Sequence, residues 1–293
     1  MPNLEISRGE RLDQRVVSLM PVLSRSFAVQ LIRDGKVTVN GVVVTKAGTK
    51  IRPEDDVVMD YKLEDFTVPE IELPILYEDD DCVVIIKPVG LLTHSKGAFN
   101  PEPSVATWLH NRIVDETLLH DDKDSLNSRA GIVHRLDRAT SGVMICAKTP
   151  QALAWLQRQF ADRKVHKTYA AVISGALEPA EAVIDMPIER NPKAPATFRV
   201  GVQGKHAITA YTTVASNDRY SLLELKPETG RTHQLRVHLG HFHHPIVGDT
   251  LYGGEPAERL YLHAESLDII LGHDKERRVF TAPIPAEFKD KVR

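Results

Sequence analysis

Cysteine is nearly absent from this 293-residue chain: Cys82 and Cys146 are its only two. That excludes a disulfide scaffold and a four-cysteine zinc site. No run approaches the roughly 18–20 apolar residues that cross a bilayer, and the first residues carry no secretory apolar core. No Gly-x-Gly-x-x-Gly opens a helix and no Gly-Lys-Ser or Gly-Lys-Thr occurs, so the phosphate-cradling loops of nucleotide-cofactor enzymes are missing. There is no internal repeat and no low-complexity tract. A chain with these absences reads as a soluble protein of a reducing compartment, the cytoplasm, without membrane attachment.

What is present is an ordinary globular composition. Hydrophobic residues make up 42%, ample for a packed core, and the length suggests one large domain or one with a small companion. The net charge of −3 argues against a generic basic coat, but it hides segregation. From Asp60 to Asp81 there are nine acidic residues and one lysine; from Arg129 to Thr168 there are eight Lys/Arg and two Asp. Opposite blocks of this kind are compatible with one face attractive to a polyanion, or with scattered solvated charge.

Residues 10–60 read as a compact ααβ module. Leu12, Val16, Val17, Leu19 and Met20 space as one face of a helix ending before Pro21, and Ser24 caps a second helix carrying Phe27, Ala28, Leu31 and Ile32. Val37–Val39 and Val42–Val44 flank Asn40-Gly41, a two-residue hairpin signal. Residues 61–74 are acidic, contain Pro69 and Pro74, and read as a linker. Ile75–Tyr77 and Cys82–Ile86 form a hairpin running into Lys87-Pro88. Helical spacing recurs at Val105–Ile113 and Ala152–Phe160. Strand-like runs stand at Val143–Cys146, Tyr169–Ile173, Leu222–Leu225, Leu235–Leu239 and Leu267–Leu271. Many strands with few helices predict an α+β domain with a large mixed, mostly antiparallel sheet flanked by helices and loops.

Three segments concentrate reactive side chains. In Gly131–Gly142 an Asp stands between two arginines, His134-Arg135-Leu136-Asp137-Arg138, followed by Thr140-Ser141-Gly142 and an apolar run. A carboxylate beside cations is held ionised, which suits a nucleophile or an electrostatic stabiliser; a structural Asp in a turn is the plainer alternative. In Gly230–His238, strand periodicity puts Arg231, His233 and Leu235 on one side and Gln234, Arg236 and His238 on the other, so one face offers a guanidinium to a carboxylate or phosphate. The third segment, Lys167–Ala171, sets Tyr169 in an aliphatic strand.

Together these residues resemble a known family. His134-Arg135-Leu136-Asp137, two residues, then Thr140-Ser141-Gly142 is similar to the signature of the RluA-type pseudouridine synthases. Gly230–His238 resembles that family's later motif, and His244–Asp249 with Tyr252-Gly253-Gly254 resembles the segment that succeeds it in those enzymes. Lys87-Pro88 with Gly90-Leu91 and His94 resembles the early element, and Tyr169 with Ala171 the central tyrosine motif. The ααβ module resembles the small RNA-binding domain named for a ribosomal small-subunit protein (S-four-like). Five motifs in order span nearly the whole chain.

The resemblance implies a pseudouridine synthase fold over residues 75–293, an RNA-binding domain over 1–61 and an acidic linker over 62–74. It implies isomerisation of uridine in RNA, without redox cofactor or metal. Asp137 is then the nucleophile, Arg231 its ion-pair partner, and Tyr169 a residue that stacks on uracil and takes part in proton transfer. Leu262 packs beneath the base, Arg135 enters the space a flipped base vacates, and His134 and Thr140 complete the substrate site. Arg129, Arg138, Arg158, Arg163, Lys164 and Lys167 are expected to meet phosphates, with Arg25, Arg33 and Lys36 doing so in the small module. The two-domain layout resembles members acting on large-subunit ribosomal RNA, with transfer RNA the alternative. A monomer with no protein partner is expected. Two other functions compete: a catalytically silent RNA-binding assembly factor, and a metal hydrolase built on His233, His238, His241, His243 and His244. The polar residues 111–130 either adjust substrate choice or form a plain surface loop.

Overall fold

The computed structural model describes residues 9–21, 23–61, 68–94, 102–113, 118, 131–272 and 275–293. Arg129, most of the polar stretch 111–130 and residues 62–67 of the expected linker lie outside the described residues. The chain divides into two compact units.

The first unit holds the described residues 9–72 and 94–112. Strand β1 (Glu10–Arg11) leads into helix α1 (Leu12–Leu19), followed by α2 (Arg25–Arg33), β2 (Val37–Val39), β3 (Val42–Val43), β4 (Lys50–Ile51) and β5 (Val57–Met59). Ser24 caps α2 as expected, its hydroxyl accepting the amide of Phe27 at 3.2 Å. Asn40 and Gly41 both take positive φ, 52° and 79°, the pair of dihedrals that turns β2 into β3. The two helices bury Leu12, Val16, Phe27, Ala28, Leu31 and Ile32 against Val37 and Ile51. The same unit contains the short helix α3 (Val105–His110), capped by Ser104 and Thr107 bonding each other's backbone amides.

The second unit is built on nine strands: β6 (Ile75–Glu78), β7 (Cys82–Lys87), β8 (Ser141–Ala147), β9 (His166–Ser174), β10 (Glu181–Asp185), β13 (Ile208–Ser216), β14 (Tyr220–Pro227), β15 (Leu262–Ile270) and β16 (Arg277–Thr281). A separate two-stranded ribbon pairs β11 (Ile188–Arg190) with β12 (Phe198–Val200). The main sheet runs β10-β13-β14-β9-β15-β8-β7-β6, with β16 beside β15. Its pairings are antiparallel except β15 on β8, so the mixed, mostly antiparallel expectation describes it. Helix α4 (Pro150–Ala161) packs Ala152 and Leu156 with Val84, Val143 and Ile145, and α6 (Ala286–Lys291) adds Phe288 to the core of β9 and β14.

One expectation fails. Leu235–Leu239 is not a strand but the middle of helix α5 (Gln234–His241). Six consecutive residues, Gln234 to Leu239, are buried, so the helix shows no apolar stripe, and without a stripe nothing in the pattern betrays a 3.6-residue period.

The parallel β8–β15 contact fixes where chemistry can occur. Ser141 and Gly142 at the start of β8 lie beside His263 and Ala264. Gly142 has φ of 122°, and a Cβ there would overlap the carbonyl of Ala264, so only glycine lets the strands meet. Ser141 accepts from Arg259 at 2.5 Å and pairs with Nδ1 of His263 at 2.8 Å, fastening β8 to β15. Immediately before this seam comes the loop bearing Asp137.

Candidate active site

The Asp137 loop is held at both ends. Thr93 Oγ1 donates to the carbonyl of Leu136 (2.7 Å) and accepts its amide (3.3 Å), while the amide of Thr140 closes a turn on the carbonyl of Asp137 (3.0 Å). Lys87, fully buried, spends its three ammonium protons on the carbonyls of Pro88 (2.9 Å), Leu91 (2.8 Å) and Arg138 (3.4 Å). Gly90 also donates to Arg138 (2.8 Å), so the Lys87–Leu91 element is stapled to the residue following Asp137. Burial pushes the Lys87 amine down to about 8, with the charge of Asp137 opposing that shift, and at neutral pH it remains an ammonium.

The second wall is the turn from Thr229 into α5. Gln234 is buried and uses its whole amide: Oε1 accepts from Thr229 Oγ1 (2.7 Å) and the Arg231 amide (3.0 Å), and Nε2 donates to the Ile208 carbonyl (2.9 Å) and Thr209 Oγ1 (3.0 Å). His233 enters the helix with φ of 57°, in the left-handed region. Residues 233 and 236 then stand one helical turn apart and both face Asp137. Arg236 Nη1 lies 3.5 Å from Asp137 Oδ2, and His233 Nε2 lies 3.8 Å from the same oxygen.

The ion pair expected between Asp137 and Arg231 is therefore made by Arg236. Arg231 lines the pocket but donates its Nε to the carbonyl of His206 at 2.9 Å. The resemblance was read as giving this part to Arg231, and the strand reading, which put Arg236 on the face away from His233, did not bring Arg236 forward. Arg236 is itself fixed: Nε and Nη2 make two 2.7 Å bonds to the fully buried Asp249, and its guanidinium lies 5.0 Å over the ring of Tyr252. Burial would lower its pKa, but the Asp249 bond and charge hold it above the ordinary arginine value.

Asp137, Arg135, Thr140, Lys167, Tyr169, Arg231 and Leu262 line one pocket of about 120 Å³, completed by residues 229–236. That is the same order as the roughly 150 Å³ cavity that takes up a benzene ring. Tyr169, on β9, pairs with Leu225 of β14 and Ala264 of β15, which sets its ring at the sheet's centre. Burial, and secondarily Asp137, raises the Tyr169 phenol, so it is neutral at physiological pH. Leu262, buried, opens β15. Arg135 is exposed at the pocket. A groove joins it, lined by Arg135, Phe160, Arg163, Lys167 and Arg231, with Glu228 as its carboxylate. Burial lowers the Lys167 amine.

The remaining expected site residues fall elsewhere. His134 lines the groove and not the pocket; its Nε2 accepts the Ile145 amide (3.1 Å), its ring stacks on Phe160, and burial pushes it down to about 3. It braces the loop as a neutral ring. Arg138, Arg158 and Lys164 are exposed, Lys164 3.5 Å from Asp162. In the small unit Arg25 is tied to the buried Asp13 at 2.9 Å, while Arg33 and Lys36 are exposed and Lys36 sits 3.6 Å from Asp60. The histidines disperse: His238 bonds Thr209 and Met186, His244 bonds Ser174, and among the described residues no three His, Cys, Asp or Glu side chains converge on one point. Sequence reasoning missed Arg236 as the partner of Asp137, Asp249 and Tyr252 as the groups that hold Arg236, Gln234 as the fastener of the turn, and His233 as a second ring facing Asp137. A helical reading of 234–241 would have found Arg236, because it aligns with His233.

Comparison with known proteins bears on the whole arrangement. Residues 81–241 match the family described as RNA pseudouridylate synthase, and residues 10–57 match the S4 domain. The ribosomal large subunit pseudouridine synthase D of Vibrio parahaemolyticus is 38% identical over 272 residues, covering 92% of this chain and 80% of that protein. The protein of the same name from Xylella fastidiosa is 40% identical over 255 residues, 84% of this chain and 72% of its own. Among solved structures, human RNA pseudouridylate synthase domain containing 1 superposes with a TM-score of 0.58 at 28% identity, over 74% of this chain and 86% of that one.

Proposed function

This chain belongs to the RNA pseudouridylate synthase family, and from that premise we propose that it isomerises specific uridines of large-subunit ribosomal RNA to pseudouridine, with Asp137 as nucleophile. The observation that carries the reading is the Asp137 carboxylate on the wall of a ring-sized pocket, 3.5 Å from a buried guanidinium and sharing that pocket with Tyr169 and Leu262. The reaction breaks the bond from the ribose to N1 of uracil, turns the base, and joins the ribose to C5, from which a proton leaves while one is taken up at N1. An anionic oxygen beside the sugar serves the cleavage. Arg236 holds that oxygen in place, the part the resemblance gave to Arg231. Tyr169 and Leu262 bracket the base while it turns.

Reaching the pocket requires a flipped nucleotide, at a cost of a few kcal/mol. Arg135, exposed at the rim, is suited to fill the gap, since a guanidinium both stacks and hydrogen-bonds. The adjoining groove, with Arg163, Lys167 and Arg231, suits the flanking phosphates. In this reading residues 1–61 form an RNA-binding module joined through residues 62–74 to the catalytic domain 75–293, and the enzyme works in the cytoplasm, on ribosomal RNA. Supporting the ribosomal substrate, the two bacterial relatives carry it in their names. The test is to map pseudouridines across ribosomal and transfer RNA in cells with and without the gene. One or more large-subunit sites should vanish on deletion and return with the wild-type gene. Loss confined to transfer RNA would overturn the substrate, and an unchanged map the function.

A further inference from the structure

His233 stands at the site with a left-handed backbone, φ 57°, and the chemistry assigned to Asp137, Arg236 and Tyr169 leaves it idle. Its two ring nitrogens face different partners. Nε2 is 3.8 Å from Asp137 Oδ2, and Nδ1 is 2.7 Å from the hydroxyl of Tyr252. That hydroxyl also accepts the amide of Phe198 at 3.0 Å. A phenol has one proton to give, and a neutral imidazole has one nitrogen that donates and one that accepts.

Two assignments are open in principle, and the surroundings decide between them. With the ring proton on Nδ1, the Tyr252 oxygen would accept two N–H groups and its own proton would have no acceptor among the described residues. Nε2 would then turn a lone pair on the Asp137 carboxylate. With the proton on Nε2, Tyr252 donates to Nδ1 and accepts from Phe198, and an N–H points at Asp137. Only the second gives the Tyr252 proton an acceptor and turns an N–H, rather than a lone pair, toward the Asp137 carboxylate. Burial, with the charge of Arg236 adding to it, disfavours a doubly protonated ring; Asp137 and Asp249 oppose this, and Arg135 reinforces it.

We propose that Tyr252 and His233 form a tautomer lock that presents Nε2–H to Oδ2 of the nucleophile, so that His233 and Arg236 together engage Oδ2 and leave Oδ1 as the oxygen that meets the nucleoside. His233 is a positioning residue in this scheme, acting through Asp137, and the inference rests on the reading of Asp137 as nucleophile. The 3.8 Å separation becomes a hydrogen bond on an approach of about 0.8 Å, a closure of the sort catalytic contacts undergo when substrate fills a site. The rest of the surroundings agree. Tyr252 and Phe198 both meet the His233 ring edge to face, at 5.6 Å and 5.7 Å. The left-handed backbone at His233 is strain of the sort that persists where a side chain must be aimed.

Tyr252→Phe is the informative variant because it keeps the ring that packs against Arg236 and His233 and removes only the hydroxyl. With protein carrying ¹⁵N-histidine, long-range proton–nitrogen correlation reads the tautomer directly, His233→Gln assigning the resonance. The wild type should show the proton on Nε2, and Tyr252→Phe a mixture. On transcribed large-subunit ribosomal RNA tritiated at uracil C5, Tyr252→Phe should lower kcat on the order of tenfold with KM unchanged, the size of one neutral hydrogen bond. His233→Gln, which retains an N–H at similar reach, should keep more activity than His233→Ala. A wild-type ring protonated on Nδ1, or Tyr252→Phe with wild-type kcat, overturns the lock. The ring measurement needs no RNA, so it stands even where a fully active Asp137→Asn would overturn the nucleophile and the lock's role with it.

Discussion

Arg231 and Arg236 are five positions apart and chemically identical, yet they do different work. Arg236 is buried between two carboxylates, at 2.7 Å from Asp249 and 3.5 Å from Asp137, whereas Arg231 bonds a backbone carbonyl and lines the mouth shared by pocket and groove. Removing a preorganised charged donor from a reacting centre costs about 10²–10³ in kcat. Arg236→Gln should show that loss, and it should also leave Asp249 buried without its partner and lower the melting temperature. Arg231→Gln should act on KM for RNA, by less than about tenfold, the size of one phosphate contact. Steady-state kinetics on the two variants separates the assignments, and the reverse ranking would return the nucleophile's partner to Arg231.

At the scale of the element, legibility followed the environment of each segment. Helices α1, α2 and α4 each bury one side and expose the other, so their periodicity shows in the residue pattern. Strands β7, β8 and β14 are apolar runs bounded by turns, and the two-residue turn at Asn40-Gly41 states its own geometry. Helix α5 was illegible because its surroundings are buried on every side, and a pattern of Gln, Arg and His satisfied by tertiary partners carries no period. The site was legible to the same extent. Asp137, Tyr169, Arg135, Thr140 and Leu262 do share a pocket, but the supports of Arg236 come from a fold the period could not reveal. Gly142 gives the element-level test. A methyl there would push β8 off β15 and move the Asp137 loop that precedes it, in a backbone region closed to alanine. Gly142→Ala should lower unfolding stability by about 2–3 kcal/mol or more and abolish turnover, measured by urea unfolding and tritium release. A stable, active variant would show that the close strand contact is not what holds the loop.

Across the whole molecule, a net charge of −3 conceals a basic tract, three of whose cations, Arg135, Arg163 and Lys167, line one groove together with Arg231. RNA is the substrate class of this family, and affinity for it should rest on such a groove more than on overall charge. Arg158 and Arg163 are exposed and lie outside the pocket, so reversing both to Glu tests binding without touching the chemistry. The dependence of log Kd on log salt should flatten by about 0.7 for each single-strand phosphate that the variant no longer neutralises. In the small unit, Arg25 is engaged by Asp13, so Arg33→Glu with Lys36→Glu reports that unit's own share, expected to be smaller. A salt slope unchanged by the first pair would place the RNA on another face.

One measurement tests the central claim most directly: tritium release from large-subunit ribosomal RNA labelled at uracil C5, comparing the wild type with Asp137→Asn at equal RNA binding. The substitution keeps the shape of the side chain and removes the charge that faces Arg236. Wild-type protein should release tritium in proportion to pseudouridine formed, with none above background from the variant. Release by Asp137→Asn at the wild-type rate would contradict the assignment of that carboxylate as the nucleophile.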